Sequence, residues 1–336
     1  MGKIMTSWFG SVLLLAACVF MFAFASAGMK VRIEEYDVPT PDSRPHDPAV
    51  APDGSLWYTG QQSNTLGRLD PKTGKIREFR LSTPGSGPHG LVADKEGNIW
   101  FTANYKGYVG KLSPSTGDIV EYRMPDPAAK DPHSLAFDRS GILWLTFEAS
   151  NFIGRLDPRT GAVRLIPSPT SHSQPYGIVV TSQGIPFYCE FGSNKLASID
   201  PNTMAITEHR LPDGARPRRL ALAPDDKIYY TDYARGYLAR FDPSTGKVEE
   251  RASPGGPASK PYGIATTPDG SVWYSESGVT PNTIVKFEPS VFAFSRRPIP
   301  SGGGVVRNMV STPGGDLYIA CSGVNKVGIV RVPSCW

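Results

Sequence analysis

From residue 45 onward the chain repeats one pattern seven times, and a repeat of this length admits few folds. Each unit opens with a short apolar strand introduced by Pro and one chemically distinctive residue: Pro45-His46, Pro88-His89, Pro132-His133, Pro175-Tyr176, Pro217-Arg218, Pro261-Tyr262 and, in weaker form, Val306-Arg307. The intervals between them are 43, 44, 43, 42, 44 and 45 residues. A glycine turn such as Pro52-Asp53-Gly54 or Pro268-Asp269-Gly270 follows, where Gly accepts a positive φ. Next comes an aromatic strand, as in Trp57-Tyr58-Thr59, Trp100-Phe101-Thr102 and Trp273-Tyr274-Ser275. A third strand of the type Leu66-Gly67-Arg68-Leu69 runs into a turn such as Asp70-Pro71-Lys72-Thr73-Gly74, and a fourth is typified by Ile76-Arg77-Glu78-Phe79.

Four strands in each of seven units predict an all-β, seven-bladed β-propeller. The 35 Gly and 32 Pro agree with many short strands joined by tight turns. The seventh unit stops after its third strand, Val327 to Val332, while Ile33-Glu34-Glu35-Tyr36 reads like a fourth strand at the opposite end of the chain. The N-terminal strand is therefore expected to complete the last blade and close the ring, leaving no open sheet edge. Residues 28–336 read as one domain.

Residues 1–27 read as a secretory leader: Lys3 supplies the positive start, Trp8 to Ala25 is almost continuously apolar, and Ala25-Ser26-Ala27 is a small-residue cleavage site. A periplasmic or secreted protein is expected; a lipoprotein anchored through Cys18 and an uncleaved anchor are the alternatives. Beyond the leader nothing points to a membrane. The balance of 35 Lys and Arg against 31 Asp and Glu, with no basic run, argues against nucleic acid as a partner. A monomer acting on a small molecule is the expectation. Cys189, Cys321 and Cys335 are odd in number and lack CxxC spacing, so buried or free thiols are expected, with oxidation of one pair left open.

In a propeller the first strands line a central channel. Two sets of positions are expected to meet at its mouth: the residue after each Pro (His46, His89, His133, Tyr176, Arg218, Tyr262, Arg307) and residues just past the aromatic strand (Glu148, Glu190, Asp232, Glu276, Cys321). A hydrated polar plug would use such residues without function. Three His on consecutive blades, with Asp131 two residues before His133 and Glu148 in the same blade, make a carboxylate and imidazole site for a divalent ion plausible.

With its Pro88-His89-Gly90-Leu91, Gly97-Asn98-Ile99-Trp100-Phe101-Thr102 and Ile153-Gly154-Arg155-Leu156 elements, the chain resembles the streptogramin B lyase family, often named for virginiamycin B lyase. The lyase pattern has Pro-His in one blade, acid-Pro-His opening the next, and Trp with Glu four residues later. It is matched by Pro88-His89, Asp131-Pro132-His133, and Trp144 with Glu148. The resemblance implies His133 as general acid/base, His89 positioning or protonating the substrate, and Asp131 and Glu148 helping to hold Mg²⁺. His46, Tyr176, Glu190, Arg218, Asp232, Tyr262, Glu276 and Arg307 are the further channel candidates. Asp131 stands where the family has Glu, and the constellation falls in the second and third blades, whereas the antibiotic-inactivating enzymes carry it in the last two. The implied reaction opens an ester or lactone of a small cyclic or peptidic molecule by elimination. Metal-dependent hydrolysis at the same site and a noncatalytic binding propeller are the alternatives, and the Arg and Tyr of the channel would also suit an anionic ligand.

Overall fold

The computed structural model describes Gly2 and residues 30–333; the leader, Cys18 and Cys335 lie outside the described residues. Seven four-stranded antiparallel sheets surround a central channel. Six of them are built from consecutive strands. The seventh takes its outermost strand from the start of the domain: Arg32–Asp37 pairs with Lys326–Arg331 over six residues, so the ring closes as the repeat predicts. The only helical element among the described residues is one short turn at Ser322–Val324. No helix there is long and apolar enough to cross a membrane.

The repeated residues explain the blade. Trp57, Trp100, Trp144 and Trp273 are buried between blades. A buried indole N–H needs an acceptor, and the turn before each aromatic strand supplies one: Asp94 for Trp100 at 2.8 Å, Asp138 for Trp144 at 3.0 Å, and Thr267 for Trp273 at 3.1 Å. The glycine of the third strand leaves room for the neighbouring aromatic ring. A Cβ at Gly67 would lie 1.9 Å from Tyr58 Cζ, and one at Gly110 would lie 2.1 Å from Phe101 Cζ.

All seven first strands carry a register shift between the Pro-equivalent position and the residue three further on. Such a bulge re-aims side chains locally. The hydroxyl that ends most of the aromatic triplets secures it. Thr102 Oγ1 accepts from Gly90 N at 2.8 Å in its own blade and donates to His133 O at 2.8 Å in the next. Thr59, Thr146 and Thr231 repeat this relay toward His89 O, Tyr176 O and Tyr262 O. Cys189 takes the place of Thr in the fourth blade, its thiol 3.1 Å from Gly177 N and 2.9 Å from Arg218 O. Burial there pushes the thiol up to about 12. Cys321, also buried, packs with Val306 and Ile299, and both described cysteines are free.

Thr102→Val keeps the shape but leaves a buried N–H and C=O without their partner, so it is expected to cost about 1–3 kcal/mol. Thr102→Ser should cost clearly less. Chemical denaturation of the two variants checks this; equal losses would mean that the methyl, not the hydroxyl, matters.

Candidate active site at the channel mouth

Because of the bulges, two consecutive residues in each first strand contribute to the channel, giving two stacked rings. The outer ring holds the residues after Pro. His46, His89, His133 and Tyr176 form a continuous arc, with ring centroids 3.8, 3.9 and 4.0 Å apart in that order. Arg218 follows, its guanidinium carbon 3.9 Å from the Tyr262 ring, 4.3 Å from Tyr233, 4.6 Å from Phe191 and 5.1 Å from Tyr176. The hydroxyls of Tyr176 and Tyr262 hydrogen-bond across the channel. Arg307 closes the ring between Tyr262 and His46.

The inner ring was not anticipated from the sequence. Its odd-numbered blades supply Asp47, Ser134, Arg219 and Asn308, while its even-numbered blades supply Gly90, Gly177 and Gly263. Each glycine admits the next blade: a Cβ on Gly90 would lie 2.4 Å from His133 O, and one on Gly263 would lie 2.9 Å from Asn308 Cα. Across the axis Arg219 donates to Asp47 at 2.9 Å and to Ser134 Oγ at 3.1 Å, and Asn308 donates to the second oxygen of Asp47 at 3.1 Å. Outer and inner rings are joined by His46 Nδ1 to Asp47 Oδ1, 2.8 Å, and His133 Nδ1 to Ser134 Oγ, 3.0 Å. The signal in the sequence was the variable residue directly after each channel residue.

The structure brings Glu148 to this mouth and does not bring Glu190, Asp232 or Glu276. Glu190, Asp232 and Glu276 are the last residues of their strands, pairing in register with Pro175, Pro217 and Pro261. Phe147 holds that place in the third blade, opposite Pro132, so Glu148 is one residue further along. One step along a strand reverses the side-chain direction. The three acids turn into the blade packing instead. Glu276 accepts from Ser253 Oγ, Gly255 N and Thr283 Oγ1, Asp232 pairs with Arg235 at 2.6 Å, and Glu190 accepts from Ser193 Oγ at 2.7 Å. Burial pushes the Glu190 carboxyl up to about 7. Cys321 occupies the equivalent position opposite Val306 and likewise does not face the channel. The residues that share Glu148's position in the next two blades are Phe191 and Tyr233, half of the box around Arg218.

His133 Nε2 lies 3.5 Å from Glu148 Oε2. An ion pair would raise the imidazole and lower the carboxyl. The opposite holds: burial, followed by the neighbouring His89 and Arg219, holds His133 well below its usual range, and burial, aided by Asp131, raises Glu148. Desolvation outweighs pairing and favours the neutral imidazole at His133. His46 and His89 are held low as well, by burial first and then by Arg219 and Arg307 at His46 and by His46 at His89. His89 Nδ1 is buried without a hydrogen-bond partner among the described residues.

A hydrated Mg²⁺ takes one or two carboxylates and keeps several waters. Glu148, part-exposed and raised by burial and by Asp131 against the opposing pull of Arg218 and Arg219, and Asp131 beside it fit that donor chemistry. Asp131 is itself oriented by the N–H groups of Ala149 and Ser150 and by the Ser150 hydroxyl. A second cluster, His46, Asp47 and His89, has ligand atoms within 4.8 Å of one another. It does not fit a cation, because all three residues are buried and Arg219, paired with Asp47 at 2.9 Å, already supplies the positive charge.

A cavity of about 560 Å³ opens at the other end of the channel among Phe137, Thr181, Leu222, Thr266 and Thr312, away from the histidines. Its Asp138 and Asp226 are engaged by Ser140, Trp144 and Ser182. On the histidine face, a cavity of about 240 Å³ adjoins Arg307 and Arg44.

The model of the virginiamycin B lyase family matches residues 24–191 and 162–334. Among solved structures, a streptogramin B lyase superposes with a TM-score of 0.83 at 24% identity, covering 90% of this chain and 98% of the other. Virginiamycin B lyase from Staphylococcus aureus gives 0.82 at 23% identity, covering 90% and 100%. A catalytically inactive histidine-to-alanine variant of the Staphylococcus aureus enzyme, with quinupristin, gives 0.81 at 23%, again covering 90% and 100%. No curated protein matches the sequence.

Two outcomes are expected from the buried charges. Arg219→Met leaves Asp47 buried and unpaired and should cost about 3–5 kcal/mol, with the double variant Asp47→Asn/Arg219→Met recovering much of it. A double-mutant cycle that shows no coupling would contradict the pairing. Because His46 and His89 are held below 6.5 in the folded state, their contribution is present above pH 6.5 and lost as pH falls below it. Each should remove up to about 1.4 kcal/mol per pH unit, and His89→Asn should flatten the pH dependence of unfolding measured between pH 7.5 and about 5.5.

Proposed function

The chain belongs to the virginiamycin B lyase family, and on that premise we propose that it is a lyase opening the ester or lactone linkage of a small cyclic or peptidic molecule by elimination. One observation carries the reading: a buried His133 whose Nε2 lies 3.5 Å from Oε2 of the half-buried Glu148, with Asp131 two residues before the histidine, within one blade.

A neutral imidazole excluded from water is a competent base for a proton next to an amide carbonyl once the developing enolate charge is stabilised. In the tautomer that donates Nδ1–H to Ser134 Oγ, 3.0 Å away, the Nε2 lone pair is the one left for the substrate. The proton leaves the substrate Cα for Nε2, its electron pair forms the Cα=Cβ double bond, and the Cβ–O bond breaks to give a free carboxylate. Arg219, on Ser134, and Asp47, on Arg219, keep the imidazole in place. His89 packs beside His133, the ring planes tilted by 44°, and is the candidate to position or protonate the substrate. Asp131 and Glu148 would hold a divalent cation, which when bound supplies stabilisation of the enolate charge. The streptogramin B and quinupristin named for the structural relatives make cyclic depsipeptides the first substrates to try.

With quinupristin as substrate and Mg²⁺ present, the wild-type protein is expected to give a linear product of unchanged mass. His133→Ala should lower kcat by about 10² to 10⁴-fold without lowering the melting temperature below the assay range. Glu148→Gln should abolish the response to Mg²⁺. Full turnover by His133→Ala would remove the assignment.

A further inference from the structure

The mouth of the channel is electrically lopsided. Asp131 and Glu148 sit on the third blade, whereas Arg218 and Arg307 sit on the fifth and seventh, and Arg44 stands in the loop entering the first. Neither Arg218 nor Arg307 has a carboxylate within ion-pair distance among the described residues. Arg219, one residue away from Arg218, is neutralised by Asp47 at 2.9 Å. Arg218 uses one of its five N–H donors, on Tyr176 Oη at 3.3 Å, and its Nε is buried without a partner. Arg307 Nε is buried in the same unpartnered state, as is Arg219 Nε, so what sets Arg218 and Arg307 apart is that neither guanidinium is paired with a carboxylate among the described residues. Four aromatic rings hold the Arg218 guanidinium in place by their faces, and such contacts use none of its donors. The cavity of about 240 Å³ beside Arg307 is lined by Arg44, Gln62, Ser322 and Asn325, with Asp42 as its one acid.

We propose that Arg218 and Arg307 form an anion subsite at the channel mouth that receives a carboxylate. A planar, immobilised guanidinium with free donors matches the two oxygens of a carboxylate better than it matches a neutral carbonyl. The location gives the subsite a use, a step that rests on the elimination reading. Tyr176, which Arg218 touches, packs 4.0 Å from His133, so the carboxylate released when the Cβ–O bond breaks lies within reach of Arg218. Arg218 is near enough to Glu148 to lower its carboxyl, without pairing with it, so the base and the positive charge lie close together: one end of the ester meets the base, and the departing end meets Arg218. An ester whose acyl side already carries a second carboxylate would be favoured over an uncharged one.

The test separates this subsite from the elimination itself by measuring binding without turnover. Phenylacetate and phenylacetamide are titrated into the full domain in chelator and low salt, with saturation-transfer NMR as the readout. The acid is expected to bind about tenfold or more tightly than the amide, the difference a charge-assisted hydrogen bond supplies. Arg218→Met should remove most of that preference and Arg307→Met part of it, while Arg218→Lys keeps some. Equal binding of acid and amide by the wild-type protein overturns the proposal without recourse to any variant. So does carboxylate binding that requires Mg²⁺, which would assign it to the metal, or a preference untouched in folded Arg218→Met and Arg307→Met proteins. Loss of turnover in His133→Ala with carboxylate binding retained is the pattern expected if both readings hold; binding retained with no elimination by the wild-type protein would leave the subsite standing and remove only the lyase.

Discussion

The structure depends on a hydroxyl that serves two blades at once. At the end of most aromatic strands a Thr, Ser or Cys holds the bulged N–H of its own first strand and the channel carbonyl of the next. Without that relay the bulge would leave buried backbone groups unpaired, which is costly in a dry interior. With it, six of the seven first strands can break their alternation at the same height; the seventh, with Ala320 at the relay position, carries the same bulge without it. The channel thereby acquires two rings of side chains from seven strands, and the relay passes the spacing of one blade to the next around the circle.

On this scaffold the inner ring neutralises itself and the outer ring does not. Asp47, Arg219, Ser134 and Asn308 hydrogen-bond to one another across the axis, and the one buried cation among them is paired with the one carboxylate. Their yield is orientation: Ser134 fixes His133 and Asp47 fixes His46. The outer ring keeps neutral imidazoles on one arc, a part-exposed carboxylate beside them, and guanidinium groups on the facing arc. Burial rather than ion pairing sets the protonation of the imidazoles, so their basicity is a product of the packing of rings 3.8 to 4.0 Å apart.

The blade count, the closure by Ile33 to Tyr36 and the identity of the outer ring were legible in the sequence, because a period of about 44 residues leaves one arrangement for them. The inner ring was not. Alternation along a strand assigns His46 and Asp47 to opposite faces, and only the bulge, whose signature is a shift in pairing rather than a residue type, directs both to the channel. The same sensitivity to single steps explains the acids. Glu148 was grouped with Glu190, Asp232 and Glu276 by its distance from an aromatic strand, yet it follows the strand end while they form it, and that offset turns three carboxylates into struts of the blade interfaces. The odd cysteine, Cys189, looked idle in sequence and proves to be a substitute for Thr in the relay.

The account's central claim is that His133 removes a carbon-bound proton and that no water enters the product. Turnover of quinupristin in water labelled with heavy oxygen tests this directly, with the linear product examined by mass spectrometry. The account predicts a product isomeric with the substrate, carrying no label and a new carbon–carbon double bond. A product heavier by one labelled water, with the alcohol regenerated, would contradict it and assign the same channel mouth to hydrolysis.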